Sequence, residues 1–118
     1  INFNFNKQNV VAINRFLNDF EYRFLIENSK CVILPYTRGT NSGIPSSVIA
    51  LKTKLITSDI DMFKTNPLID QKFIFENKNI DNLISIMKLC SNEKFNFDLI
   101  KTYKINFTNK ILKVFSKI

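Results

Sequence analysis

The residues best suited to chemistry follow a short apolar run in the first half of the chain. Residues 31–34 (CVIL) are all apolar, Pro35 ends the run, and a polar loop over residues 36–42 leads to Gly43. A helix that begins beyond Gly43 would direct unpaired backbone N–H groups and the positive end of its dipole toward this loop. That arrangement favours a bound anion. The sequence therefore predicts an anion-binding corner, although its spacing matches neither a Walker loop nor GxGxxG.

The predicted corner combines hydroxyl groups, backbone amides and one guanidinium group. Arg38 could make a bidentate, charge-assisted contact, and Gly43 would allow a ligand to approach the backbone closely. Apart from Pro45, which has no N–H, the first turn of the helix is expected to offer free N–H groups. These belong to Gly43, Ile44, Ser46 and Ser47. The full set of predicted binding residues is Tyr36, Arg38, Thr40, Asn41, Ser42, Gly43, Ile44, Ser46 and Ser47. In the alternative interpretation the serines only cap the helix and Arg38 points to water.

The absence of histidine limits the catalytic possibilities. With no His in 118 residues, Ser-His-Asp and Cys-His catalysis are excluded, as are most zinc sites. We predict no catalytic residue, no metal site and no cofactor. Cys31 and Cys90 are expected to be buried free thiols, and a disulfide between them is the alternative.

The charge balance favours an anionic partner. Seventeen basic residues against ten acidic ones leave a net charge of +7 at pH 7. The lysines are dispersed, whereas a nucleic-acid surface would need clustered basic residues interleaved with exposed aromatic rings. We therefore predict no nucleic-acid partner.

Hydropathy predicts a protein that does not cross a membrane. No apolar run approaches the roughly 18 residues needed to span a bilayer, and no signal peptide is recognisable. We expect a cytoplasmic protein. The basic tail, residues 98–118, predicts helices that pack on their own domain or contact the inner face of an acidic membrane peripherally. The predicted apolar stripe of this tail consists of Phe107, Ile111, Leu112 and Phe115.

The elements that position the corner alternate between strands and helices. Residues 1–6 alternate between apolar and polar and predict an edge strand, and residues 10–13 (VVAI) predict a second strand. Asn18 and Glu21 have the spacing of a capping box for a helix that ends near residues 28–29. The stripe of Phe20, Phe24 and Leu25 predicts the buried face of that helix. Residues 31–34 predict a strand buried on both faces.

The second half of the chain continues the alternation. We predict a helix from about Pro45, a strand over residues 54–57, a short turn capped by Asp61 and a strand over residues 72–75. Asn79 is predicted to cap a helix that ends at residues 90–92. Its expected buried face comprises Ile80, Leu83, Ile84 and Met87. This order predicts an α/β fold: a three-layer, Rossmann-like parallel sheet with helices on both faces.

Residues 9–86 resemble a known family. The matching pieces are VVAI at 10–13, the helix over residues 19–28, VILPY at 32–36, SGIP at 42–45, VIAL at 48–51, KLITSDI at 54–60 and the helix from Asn79. Together they resemble the second half of the nucleotide-sugar-binding domain of GT-B glycosyltransferases, of the "glycosyl transferases group 1" type. The resemblance covers about two thirds of the chain.

The resemblance implies a function as well as a fold. It identifies residues 1–118 as a single, partial GT-B C-terminal domain that binds a UDP- or GDP-linked sugar. The parent enzyme would be a bacterial hexosyltransferase of cell-surface polysaccharide or glycolipid synthesis. The family's acceptor domain and first two donor-domain strands have no counterpart here. We therefore expect this chain alone to be inactive, and its open sheet edge to favour a homodimer.

The chain also departs from the family pattern. Many members carry two glutamates, eight residues apart, that contact the donor sugar and the ribose. The corresponding residues here are Thr40 and Val48, and a valine cannot accept a hydrogen bond from a ribose hydroxyl. Two alternatives therefore stay open: a non-catalytic nucleotide- or phosphate-binding module, and a fragment related to sugar-nucleotide epimerases.

Overall fold

The chain forms a small α/β domain with a parallel sheet. The computed structural model describes residues 10–39 and 43–104. The helices are α1 (Asp19–Glu27), α2 (Ile44–Ala50), α3 (Asp61–Lys64) and α4 (Ile80–Asn92), and residues 98–104 are also helical. The strands are β1 (Cys31–Leu34), β2 (Lys54–Ser58) and β3 (Ile74–Phe75), the last preceded by a 3-10 turn (Gln71–Phe73).

The three strands run parallel in the order β1-β2-β3. The register places Val32 beside Leu55 and Thr57 beside both Leu34 and Ile74. Because β2 is central, four of its five residues are buried, whereas only Leu34 is buried in the edge strand β1. The prediction of a parallel sheet within an α/β domain is confirmed, but β1 is less buried than its unbroken apolar run predicted.

Side chains of the sheet alternate between two core clusters. The larger core cluster consists of Ile26, Leu34, Val48, Ile49, Leu55, Phe63, Leu68 and Ile69. The smaller core cluster consists of Ile56, Phe73, Phe75 and Cys90. Leu55 and Ile56 are neighbours in β2 and belong to different clusters, as the two-residue period of a strand requires. Helices α1 to α3 therefore contribute to one face of the sheet and α4 to the other.

Helix α1 begins where the sequence predicted. The Asn18 side chain accepts a hydrogen bond from the Glu21 N–H at 2.8 Å, and the Glu21 carboxylate accepts one from the Asn18 N–H at 3.2 Å. This capping box satisfies two donors that would otherwise lack partners at the helix end. The predicted buried face was wrong, because Phe20, Phe24 and Leu25 are exposed and Ile26 is the buried residue of the helix.

Helix α4 is also capped as predicted but packs through a different face. The Asn79 side chain accepts a hydrogen bond from the Asn82 N–H at 3.0 Å. Leu83, Ile86 and Cys90 contact the smaller core cluster. By contrast, three of the four residues predicted to be buried are exposed: Ile80, Ile84 and Met87. The apolar residues of α4 cover a wider arc than the surface that packs against the smaller core cluster. Their spacing alone therefore did not identify the buried side of the helix.

Several predicted strand boundaries were wrong. Residues 10–13 form no strand, and Val11 is 84% exposed. A strand needs a neighbour to pair its backbone, and these residues do not join the sheet. The strand predicted over residues 72–75 begins only at Ile74, after the 3-10 turn. Asp61 lies in the first turn of α3 and makes no side-chain cap, since Ile60 occupies the cap position.

The two cysteines are free, as predicted. Cys90 is fully buried in the smaller core cluster, whereas Cys31 on the edge strand is only half-buried. The strand predicted at residues 1–6 and most of the predicted tail lie outside the described residues.

Candidate functional site

The carboxyl ends of the three parallel strands meet at one rim of the sheet. The Ser58 hydroxyl donates to the Tyr36 carbonyl at 2.5 Å, which ties the end of β2 to the loop after β1. The Asn77 N–H donates to the Asp59 carboxylate at 2.9 Å, which ties the loop after β3 to that after β2. Ligands of open parallel sheets bind at this rim, so the fold brings the loop of the predicted site to the expected edge.

The loop that leaves β1 packs against α3. The Tyr36 ring lies 5.5 Å from the Phe63 ring, centroid to centroid. A Cβ atom added at Gly39 would lie only 3.2 Å from the Met62 Cε atom, so glycine suits this close approach. Tyr36 is therefore partly used in packing, and its ring helps to fix the loop that carries Arg38.

Arg38 is exposed and forms no hydrogen bond or ion pair with any residue that the structure describes. Four other cationic side chains, Arg15, Arg23, Lys72 and Lys101, each lie within 4.0 Å of a carboxylate. The Arg38 guanidinium group thus retains all of its donors at the rim. It is available for a bidentate contact with an anion.

The first turn of α2 is open to a ligand. Gly43 is the N-cap, with φ −83°, and no atom lies within 4 Å of a Cβ built at this position. Pro45 occupies the first turn and is buried. The Ser46 side chain makes no hydrogen bond in the described part of the chain. No described residue beyond the chain neighbours of Gly43 therefore blocks the side on which its Cβ would lie.

One predicted donor is already used within the helix. Both the N–H and the hydroxyl of Ser47 donate to the Gly43 carbonyl, each at 3.4 Å. Ser47 is the fourth helical residue, and its N–H is the first that can reach the carbonyl of the cap. The expectation that this N–H is free was wrong. Its hydroxyl also forms a hydrogen bond at the start of α2, as the capping interpretation predicts.

Thr57 adds a polar group to the α2 face of the sheet. Its register neighbours Leu34 and Ile74 both contact the larger core cluster, so its side chain lies on that face. The residue is fully buried and its hydroxyl oxygen has no hydrogen-bond partner. Leaving a buried hydroxyl unpaired costs about 1–3 kcal/mol. The sequence places Thr57 near the end of the β2 strand, where the apolar pair Leu55-Ile56 is followed by Thr57 and Ser58, but no sequence signal indicated that its hydroxyl would be unpaired.

An apolar crevice lies at the same rim. It encloses about 130 Å³ and is lined by Pro35, Thr37, Phe75, Asn77, Lys78, Asn79, Ile80 and Leu83. Pro35 and Thr37 belong to the loop that also carries Arg38. Ile80 was predicted to lie in the core. Its 71% exposure leaves it at the crevice instead.

Three predicted binding residues, Thr40, Asn41 and Ser42, lie outside the described residues. Val48 is fully buried in the larger core cluster. Its side chain is directed into the core rather than toward a ligand. The described rim residues can bind an anion and an apolar group. Among the residues described, no cluster of three or more Cys, Asp or Glu side chains is arranged to hold a metal ion.

Comparisons were made with known protein families, with curated proteins and with solved structures, and none of them gave a match. Over residues 10–39 and 43–104, no helix has both the length and the apolar character needed to cross a membrane.

Proposed function

We propose that this chain is the donor-binding portion of a bacterial glycosyltransferase and binds a UDP- or GDP-linked sugar at the carboxyl rim of its sheet. The fold would then be a Rossmann-like partial domain, with helices on both faces of the sheet. Transfer would require the acceptor domain that the resemblance assigns to other parts of the enzyme. The proposed setting is the cytoplasm, with any membrane contact peripheral.

One observation carries the proposal. The loop after β1 holds an unpaired cation, Arg38, next to residues that line an apolar crevice, Pro35 and Thr37. A nucleoside diphosphate has the matching chemistry, because it joins an anionic diphosphate to a flat aromatic base whose faces can stack against apolar side chains.

A second candidate is a binding module without transfer activity. Val48 favours it, because this fully buried side chain replaces the carboxylate that would hold the donor ribose. Both candidates use the same rim and the same Arg38. They differ in whether the parent protein consumes the bound nucleotide sugar.

Nucleotide titration tests the proposed site. UDP, GDP and inorganic pyrophosphate should each shift the backbone amide resonances of Gly43 and Ser46. Arg38→Ala should weaken all three ligands by about tenfold or more, because a hydrogen bond to a charged group contributes about 1.5–3 kcal/mol. Ile80→Ala should weaken UDP and GDP but not pyrophosphate, since only the nucleotides have a base to occupy the crevice.

A matched charge control is available on α4. Lys88 is exposed and lies on the helix away from the rim loops, so Lys88→Ala removes one positive charge without touching the site and should leave binding unchanged. Equal responses to every polyanion, concentrated at the lysines of residues 94–104, would contradict the proposal.

A further inference from the structure

A second cleft lies between α1, α2 and the helical residues 98–104. It has a volume of about 420 Å³, which is the size range of small-molecule pockets. Helix α1 contributes Asp19, Tyr22 and Arg23, and Tyr103 closes one side. From α2 and its C-cap residue the cleft is lined by Ser46, Ser47, Ala50 and Leu51. It does not include Arg38 or the apolar crevice at the rim.

The polar side chains of this cleft keep most of their hydrogen-bonding capacity. Within residues 10–39 and 43–104, the side chains of Asp19, Tyr22, Ser46 and Tyr103 make no hydrogen bond. Arg23 uses only its Nε, which donates to Glu27 at 2.9 Å. The cleft thus presents a carboxylate acceptor, guanidinium donors and several hydroxyls that both donate and accept. A ligand with several hydroxyl groups could pair with all of them.

The two tyrosines are held in place by packing. Tyr22 and Tyr103 are half-buried and both contact the larger core cluster. Their rings are therefore anchored while part of each side chain lines the cleft. A ring with one apolar body and a polar tip can contact the carbon face of a sugar and also hydrogen-bond its hydroxyls.

The charge of the cleft disfavours a phosphate ligand. Arg23 is already paired with Glu27 across one turn of α1, with Nε and Oε1 2.9 Å apart. Asp19 adds a negative charge that has no ion-pair partner among the described residues. A phosphate would meet the Asp19 carboxylate, whereas a neutral polyhydroxylated ligand would meet only hydrogen-bonding groups.

From this geometry we infer that the cleft between α1 and α2 binds a neutral saccharide of one or two pyranose rings. Tyr22 and Tyr103 provide the ring contacts, and Asp19 accepts hydrogen bonds from sugar hydroxyls. This inference does not depend on the proposed nucleotide site, because the two sites use different charged residues.

The amino-acid composition provides a direct readout. The chain has no tryptophan and three tyrosines, two of which line the cleft. The third, Tyr36, packs on Phe63 at the rim. Intrinsic tyrosine fluorescence of a Tyr36→Phe protein therefore reports on the cleft alone.

The test is a fluorescence titration of this Tyr36→Phe protein. The probes are methyl α-D-glucopyranoside, N-acetyl-D-glucosamine and maltose, each taken to about 50 mM because a few hydrogen bonds correspond to millimolar affinity. We expect a saturable change with at least one probe. Asp19→Asn and Tyr103→Phe should each weaken that probe about fivefold, the loss of roughly one hydrogen bond.

Controls separate this cleft from the rim and from loss of folding. Arg38→Ala should leave saccharide binding unchanged, and near-identical circular dichroism spectra would establish that the cleft variants fold. The inference is overturned if none of the three probes saturates, or if Asp19→Asn and Tyr103→Phe bind as tightly as the parent. Competition by inorganic pyrophosphate that persists in Arg38→Ala would overturn it as well, because the cleft itself would then bind the anion.

Discussion

At the scale of single residues, burial distinguishes the two cysteines. Cys90 has no exposed surface in the smaller core cluster, and this burial raises the pKa of its thiol to about 11. At pH 8 a thiol with such a pKa is ionised to only about one part in a thousand, and the thiolate is the reactive form. Cys31 lies half-buried on the edge strand.

Thiol alkylation should therefore proceed in two steps. With iodoacetamide at pH 8 the native protein should gain one adduct quickly, at Cys31, and the second only after a denaturant is added. Mass spectrometry of digested protein identifies the site, and Cys31→Ser should abolish the fast step. Rapid double labelling of the folded protein would contradict the prediction.

The ionisation of the Glu21 carboxylate makes the stability at the start of α1 depend on pH. Hydrogen bonds from Arg15 and then from the Asn18 N–H lower the pKa of Glu21 to about 2. Arg15 Nη2 and Glu21 Oε2 are 2.5 Å apart. Because the folded pKa is below the usual value of 4.5, the ionised form stabilises the fold above that value. This contribution is lost as the pH falls through about 2.

Glu21→Gln tests this linkage. The variant should be slightly less stable than the parent at pH 7, and the difference should shrink as the pH is lowered from about 5 toward 2. The effect should be small because both side chains are solvent-exposed and screened. Urea unfolding at a series of pH values measures it, and a difference that grows on acidification would contradict the assignment.

At the scale of elements, α4 shows how one helix can present two apolar sides. Ile86 contacts the smaller core cluster, whereas Ile84, two residues earlier, is 45% exposed. Apolar spacing is compatible with either side, because Ile80, Leu83, Ile84 and Met87 also follow helical periodicity. The buried side of α4 is the one that carries Ile86, because it packs against the smaller core cluster, which includes Ile56 of β2 and Phe73 of the 3-10 turn before β3.

This difference gives a matched pair of variants. Ile86→Ala should reduce the free energy of unfolding by about 2 kcal/mol, since it removes packed methyl groups. Ile84→Ala should change it by less than about 1 kcal/mol, because much of that side chain already contacts water. The two variants have the same composition, so chemical denaturation compares position alone. Equal losses would show that both sides of α4 are buried in solution.

Helix capping is the element-scale feature that sequence located best. Asn79→Ala should destabilise the protein by about 1 kcal/mol, because the Asn82 N–H would lose its partner at 3.0 Å. Thermal unfolding of Asn79→Ala and Asn79→Ser provides the comparison, since serine keeps an accepting oxygen and adds no charge beside Glu76, whose carboxylate accepts a hydrogen bond from the Asn79 side chain at 3.1 Å. If Asn79→Ser is as unstable as Asn79→Ala, the cap does not account for the effect.

At the scale of the whole molecule, the three-stranded sheet of the described residues has two edges, at β1 and at β3. Strand β1 is the longer of these two edge strands. The segment before α1 exposes Val11 and Phe16, and α1 itself exposes Phe20. An uncovered edge offers unpaired backbone groups to another chain. The homodimer expected from the sequence stays a prediction.

Concentration dependence tests the dimer. Light scattering should show the mass increasing with protein concentration. Amide hydrogen exchange in β1 should slow over the same range while that in the central strand β2 stays constant, because only β1 would gain a partner. A strictly monomeric species at high concentration would exclude the dimer.

Sequence alone determined the features that depend on neighbouring residues. The capping box at Asn18 and Glu21, the Asn79 cap and the apolar β1 and β2 runs are local signals, and each was located correctly. The resemblance and the loop chemistry pointed to the rim, although the Ser47 N–H was misjudged because it bonds within its own helix turn.

Only the tertiary structure decided which apolar surface is buried. Residues 10–13 have the apolar, β-branched character of a strand but pair with no strand among the described residues, and Phe20 and Phe24 of α1 are exposed. The unpaired Thr57 hydroxyl and the cleft beside Tyr103 likewise arise from residues distant in the chain. Whether an apolar side chain is buried depends on which helices and strands pack together. That packing involves residues distant in the chain, so a local sequence pattern does not predict it.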